Sequence, residues 1–345
     1  MSLMMDEIFE QPKAVAHSID TQAYAIKSLV TEAKKRGVRH VFIAARGTSD
    51  NAATYAKYLF EIVLGIPTTQ AAPSVSTIYE AKVDLRGSLA IGISQSGQAT
   101  DVVKTLAMAK EAGALTACIT NVADSPLTKT SDFSLLCSAG VEKAVAATKS
   151  YTTSLALIAL IAGIWADSPE LLDGLNKLPA QLTETLKLSS LIETTVERYR
   201  YMEECAVLAR GLNQATALET ALKMTETSYL VAKPYSGAEF QHGPIAMVSE
   251  GFPCLMFAPE GKAFSTLLEL AVTLKDRKSE LLVIAKSPEI LTLGTKNIPI
   301  PVTIDEKLSP ILYILPGQMF AYHLAKSKGK DPDRPRGLTK VTLTR

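Results

Sequence analysis

Two short stretches of small polar side chains have the makings of an anion site. They are Arg46-Gly47-Thr48-Ser49-Asp50-Asn51 and Ser94-Gln95-Ser96-Gly97-Gln98. Each follows an apolar run and precedes a segment of helical period. Gly47 permits a tight turn, and the hydroxyls of Thr48 and Ser49 face the helix start, where free N–H groups and the positive end of the helix dipole favour an anion. The plain alternative for any one such turn is a Ser or Asp helix cap. Two serine-rich turns in one sheet point further, because ligands of open α/β folds sit beyond the carboxyl ends of the strands, so both loops would face one crevice. A phosphate is met there by hydroxyls and backbone N–H groups without a large desolvated charge. Neither loop ends in Gly-Lys-Ser or Gly-Lys-Thr, and neither carries three spaced glycines, which makes nucleotides poor candidates.

Acid-base chemistry has a second set of candidates. Lys223 and Glu226 are three apart and share a helix face, with Glu219 one turn before Lys223; the alternative is a solvated ion-pair stripe. His242 lies in Gly237-Ala238-Glu239-Phe240-Gln241-His242-Gly243-Pro244, a breaker-rich loop where an imidazole is either a proton carrier near neutral pH or simply exposed. Lys340, between Thr339 and Val341 in a polar tail, reads by itself as a surface lysine.

The elements that must position these residues are legible as a pattern. Short runs of Val, Ile, Leu and Ala at 40–45, 89–93 and 115–120 alternate with helical segments, at 52–64 and 100–112 for example, the pattern of a parallel sheet flanked by helices. After a polar, helix-prone stretch the runs restart at 205–209, 253–257 and 281–285. Ala45-Arg46-Gly47 closes the first strand of one half and Ala209-Arg210-Gly211 that of the other, an echo that favours duplication. The expected division is an N-terminal helical segment over 1–25, a first domain over 26–167 with the phosphate loops, a helical linker over 168–199, a second domain over 200–330, and a C-terminal tail or lid over 331–345. Pro332, Pro335 and Gly337 keep that tail from being regular helix.

A chain of 345 residues suits two domains of ordinary size. Lys and Arg total 36 against 35 for Asp and Glu, so no overall positive field holds nucleic acid or an anionic membrane. Cys118, Cys137, Cys205 and Cys254 lack zinc-site spacing and read as buried, reduced thiols; no metal and no organic cofactor is expected. The first twelve residues have no apolar core of signal-peptide type, and the apolar stretch 155–165 is shorter than the roughly 20 residues a membrane span needs. A buried helix and a cytoplasmic location are expected.

At these residues the chain resembles the isomerase half of glucosamine-6-phosphate synthase, a tandem sugar-isomerase (SIS) family, along nearly its whole length. The landmarks occur in order: Glu7-Ile8-Phe9-Glu10-Gln11-Pro12, Gly47-Thr48-Ser49, Ile93-Ser94-Gln95-Ser96-Gly97, Ala146 through Lys149, Gly237 through Pro244, and Pro335-Arg336 through Lys340. The resemblance implies an α/β fold of two tandem SIS domains, each a parallel sheet flanked by helices in a flavodoxin-like three-layer sandwich. It implies that Ser49, Ser94, Gln95 and Ser96 hold a sugar phosphate, with Thr48 and Val145 lining the pocket. It further implies that Glu226 moves a proton between C1 and C2, that His242 assists ring opening, and that Lys340 forms a Schiff base with a ketose. Lys223 and Glu142 correspond to active-site positions, and the counterpart of His242 comes from a neighbouring subunit, which implies a homodimer with shared sites.

The departures shape the functional expectation. The chain starts at the isomerase region, its first cysteine is Cys118, and no glutaminase is expected in it. The second hydroxyl of the family's phosphate loop falls at Ala99, with Thr100 one residue later, so that contact is either lost or shifted to Thr100; Thr225, Arg46 and Asp50 also differ. The first expectation is deamination of glucosamine 6-phosphate to fructose 6-phosphate and ammonia, followed by a deglycase for sugar-amine phosphates and, third, an aminotransferase subunit served by a separate glutaminase; a simple aldose-ketose isomerase is a further enzyme reading. A non-catalytic sugar-phosphate sensor fits less well, since Glu226, His242 and Lys340 are retained and no segment remains for a helix-turn-helix domain.

Overall fold

A computed structural model of the chain describes residues 2–340. Its Cα atoms group into two compact units. The first-sheet unit comprises 10–143, 149–176 and the tail from Thr339; the second-sheet unit comprises 2–9, 144–148 and 177–338. Helix α1 (Leu3–Lys35) continues well past residue 25.

In the first-sheet unit, β1 (His40–Ala44), α2 (Thr48–Leu64), β2 (Thr68–Gln70), α3 (Ser74–Thr77), β3 (Ser88–Ile93), α4 (Thr100–Glu111), β4 (Leu115–Thr120), α5 (Pro126–Thr130), β5 (Phe133–Leu136) and α6 (Lys149–Trp165) follow in order. The strands are arranged β2-β1-β3-β4-β5, all parallel. Every residue of β3 and β4 is buried, as expected of central strands covered on both faces. The chain leaves β1 toward β2 on one side and then crosses to β3 on the other. The switch point therefore lies between β1 and β3, where Ala44 pairs with Gly92. The apolar run 155–165 lies in α6, of which every residue but Ile164 is buried.

The second-sheet unit repeats the plan. It begins with α7 (Pro169–Leu186), shared with the first unit, and α8 (Ser189–Val196), which occupy the polar stretch between the two patterns. Leu171, Leu175, Leu178 and Leu182 are buried at spacings of three and four, the apolar stripe of an amphipathic helix. Then come β6 (Glu204–Ala209), α9 (Gln214–Ser228), β7 (Val231–Ser236), α10 (Gly237–Gln241), β8 (Pro253–Ala258), α11 (Phe264–Asp276), β9 (Glu280–Ala285), α12 (Pro288–Leu291), β10 (Lys296–Pro299) and α13 (Ser309–Ser327). The parallel order β10-β9-β8-β6-β7 puts the second switch point between β6 and β8. Leu208, Phe240, Met256, Leu267, Leu270 and Val283 form part of its core.

Of the expected tail, 331–340 contains turns and bends without helix, and 341–345 lies outside the described residues. Asp333 caps α1, accepting from Ser2 Oγ at 2.6 Å, Met4 N at 2.8 Å and Leu3 N at 3.0 Å. Among the described residues no helix is long and apolar enough to cross a membrane.

Candidate functional site

Both serine-rich turns leave the sheet at the switch point of the first-sheet unit. Gly47, at φ +54°, is the N-cap of α2 and makes no side-chain cap. The turn is closed by backbone bonds from Ser49 N to Arg46 O at 3.1 Å and from Asp50 N to Gly47 O at 2.9 Å. Thr48 and Ser49 are half-buried at the helix start. The cap reading of this turn therefore fails at its N-cap position, and a helix of 17 residues points its positive end at the switch point.

The loop after β3 is held more tightly. Gly97 N donates to Ser94 O and Leu127 N to Gly97 O, both at 3.1 Å, while Asn121 N at 3.0 Å and Thr120 Oγ1 at 3.3 Å donate to Gln95 O. Gly97 sits at φ +64°, and an added Cβ would lie 2.2 Å from Ser125 Oγ, so only glycine fits. Ser94 is buried, with Gln95 and Ser96 half-buried. Ser96 Oγ accepts from Gln98 N at 3.2 Å, which leaves its own proton for another acceptor. The N-cap of α4 is Ala99, with no side-chain cap, and Thr100 opens the helix exposed.

The same unit brings Glu142 and Lys340 together across 198 positions of sequence, with Lys340 Nζ 2.9 Å from Glu142 Oε2. The Glu142 side chain is fully buried and also accepts from Ser150 Oγ at 2.7 Å and Ser150 N at 3.1 Å. Lys340 is thus no free surface lysine: its side chain is 24% exposed and its ammonium is anchored on a buried carboxylate. Nearby in sequence, the buried Lys149 pairs with Glu10.

In the second-sheet unit α9 carries the acid-base candidates. Lys223 is buried, with its Nζ 2.7 Å from Glu226 Oε2 and 3.3 Å from Glu219 Oε1. Burial acts to lower the Lys223 pKa, but the adjoining carboxylates of Glu219 and Glu226 outweigh it and hold the value above the ordinary lysine range. Glu219 is wholly inaccessible whereas Glu226 keeps 23% of its side chain exposed. The three are therefore not a solvated stripe. One carboxylate anchors the ammonium from inside, and the other is held by it with a face open to solvent. Burial is what sets Glu219 apart from an ordinary i,i+4 partner, and no local sequence pattern reveals it.

His242 is exposed at the end of α10, with its backbone N–H donating to Glu239 O at 3.0 Å. Among the described residues its ring makes no hydrogen bond to Lys223 or Glu226. Val145 is half-buried in the short 144–148 segment of this unit. At the second switch point the loop after β8 is occupied by the chain's own Glu306, whose carboxylate accepts from Lys262 N at 2.9 Å and Ala263 N at 3.4 Å. Gly261, at φ +148°, has no room for a Cβ because that carboxylate lies 2.2 Å from its position. The loop that corresponds to the serine-rich turn thus has its anion built in.

The four cysteines are free and buried. Burial raises each thiol, Cys137 to about 11 and Cys254 to about 12. No group of three side chains fit to hold a metal occurs among the described residues.

Comparison with known proteins bears on both halves of the chain. The SIS domain family matches residues 36–163 and 203–327. Glutamine–fructose-6-phosphate aminotransferase (isomerizing) of Aquifex aeolicus is 35% identical over 340 residues, spanning 98% of this chain and 57% of the relative. The C-terminal domain of glucosamine-fructose-6-phosphate aminotransferase from Francisella tularensis superposes with a TM-score of 0.86 at 29% identity, over 97% of this chain and 98% of that one. Glucosamine-6-phosphate deaminase from Thermotoga maritima has a TM-score of 0.79 at 24% identity over 99% and 100%, a likeness of fold. The chain spans little more than half the length of the curated relatives it matches.

Proposed function

Because this chain belongs to the SIS domain family, matched in both of its halves, we propose that it is an amino-sugar phosphate isomerase and deaminase acting between glucosamine 6-phosphate and fructose 6-phosphate. The observation that carries the proposal is Glu226, a carboxylate fixed at 2.7 Å by a buried lysine yet partly open to solvent. A base that transfers a proton between adjacent carbons needs both properties. In this reading Thr48, Ser49, Ser94, Gln95, Ser96 and Thr100 take the phosphate, with Val145 and Glu142 contributing to substrate binding. His242 passes a proton to the ring oxygen as the sugar opens. Glu226 then removes the C2 proton of the open-chain aldehyde and returns it to C1, which converts the enolamine to the C2 imine. Water adds to that imine and ammonia leaves, giving fructose 6-phosphate. Lys340 is the amine that engages a ketose carbonyl, held ready by Glu142.

The exposure of His242 supports its donation to a neighbouring subunit, hence a homodimer with shared sites in the cytoplasm. The names of the relatives favour a second reading, the sugar-converting part of a glutamine-dependent aminotransferase. Assays separate the two. Wild type should release ammonia and fructose 6-phosphate from glucosamine 6-phosphate, and Glu226→Gln should not. Absence of release by wild type, together with glucosamine 6-phosphate formation from fructose 6-phosphate when a glutaminase and glutamine are added, would favour the second reading.

A further inference from the structure

Apart from Arg46, the serine-rich loops carry hydroxyls and N–H groups but no formal positive charge, whereas a phosphomonoester near neutral pH is largely a dianion. The side chain that reaches across them is Arg46. It stands between β1 and α2, and its Nε donates at 2.7 Å to Oδ2 of Asp101, in the first turn of α4 directly after the second loop. The contact ties together the two loops that flank the switch point. Asp101 is 1% exposed and also accepts from Val102 N at 2.9 Å, while the Arg46 side chain remains 52% exposed. A guanidinium offers five N–H groups in a rigid fork. Only the Nε bond is made among the described residues, so the four terminal N–H groups remain available for a second planar or tetrahedral anion.

The charges nearby make the same point. Asp101 and the half-buried Asp50 face Arg46, and Asp50 is held by Gln70 Nε2 at 3.2 Å. Without Arg46 a dianion entering this turn would meet two carboxylates. With Nε committed to a buried aspartate, the fork cannot swing away, and its entropy of ordering is already spent in the fold.

We infer that Arg46 is the cation of the phosphate site, donating its terminal N–H groups to the phosphoryl oxygens, and that Asp101 is the positioning residue that aims it. The inference rests on the sugar-phosphate reading above and adds to it a specificity for dianionic ligands. Calorimetric titration with fructose 6-phosphate and with inorganic phosphate, at low and at moderate salt, tests it on wild type, Arg46→Gln, Arg46→Lys and Asp101→Asn. Loss of charge-assisted hydrogen bonds should weaken both ligands about ten- to a hundredfold in Arg46→Gln. Arg46→Lys should recover part of the affinity, and Asp101→Asn should lose less than Arg46→Gln. The dependence of affinity on salt should be shallower in Arg46→Gln than in wild type, which a merely structural staple would not produce. Wild-type binding with unchanged affinity and salt slope in a folded Arg46→Gln protein would overturn the role of Arg46 alone. Failure of wild type to bind either ligand would overturn the sugar-phosphate reading with it.

Discussion

Replacing Lys223 by methionine, of similar length but no charge, separates the structural role of α9 from the catalytic role proposed for it. In the native fold the Lys223 ammonium serves Glu219 at 3.3 Å and Glu226 at 2.7 Å. Lys223 is 1% and Glu219 0% exposed, so solvent does not screen that pair, whereas Glu226 can turn to water. Lys223→Met therefore deprives a buried carboxylate of its cation, which costs about 3–5 kcal/mol. For a domain of this size that lowers Tm by about 6–20 °C, at roughly 2–4 °C per kcal/mol. The carboxyl of Glu219 then responds by holding its proton, its folded pKa rising above the unfolded value. The sign follows from linkage: such a group favours the folded state at low pH, so the deficit relative to wild type should be smallest in acid and grow as pH rises through the folded pKa. Adding Glu219→Gln removes the buried charge and should return most of the lost stability, with a large favourable coupling in the double-mutant cycle. Turnover should not return, because Glu226 still lacks its lysine. Thermal melts and deamination assays on the four proteins of the cycle read both quantities. A Lys223→Met protein as stable as wild type, or a double variant no more stable than Lys223→Met, would refute the buried-pair argument.

Three further outcomes follow from the packing. Gly97→Ala combines a left-handed backbone, costing about 1–2 kcal/mol, with overlap against Ser125 worth roughly 1–3 kcal/mol; melts should show the loss and calorimetry a weakened phosphate. Gly317→Ala should destabilise the second-sheet unit despite a better helix propensity, because the new Cβ would sit 2.2 Å from Thr220 Oγ1. Among the described residues Thr220 Oγ1 is buried without a hydrogen-bond partner, so Thr220→Ala should cost little by itself and should relieve Gly317→Ala in the double variant, as denaturant melts would show. His323 is held below its usual pKa of 6.5 by burial, against the opposing charge of Glu193. Its contribution is complete above the unfolded pKa and is lost as pH falls from there toward the folded one, because the unfolded state takes up the proton first. A His323→Gln protein should show a smaller acid-side fall in Tm over that window.

The amino-acid sequence by itself determined the central architecture and the two serine-rich turns at its switch point. Short apolar runs of five or six residues between turn signals suit strands covered on both faces, and β1, β3, β4, β6, β8 and β9 lie where those runs are. Gly97 and the serines around it are equally legible, since a turn too tight for a side chain needs glycine. The edge strands β2, β5, β7 and β10 were not. They are short or carry proline and exposed polar residues, and what makes them strands is a neighbour's free backbone rather than a local pattern. The helix face shared by Lys223 and Glu226 follows from spacing, but only the packing of α9 within its unit turns a stripe of ordinary charges into a buried ammonium between a sealed carboxylate and an open one. Lys340 on Glu142, Arg46 on Asp101 and Glu306 on the loop after β8 belong to the same class. Their partners lie 198, 55 and 44 positions away. A charge that far along the chain acquires its role only when the fold removes the water between them.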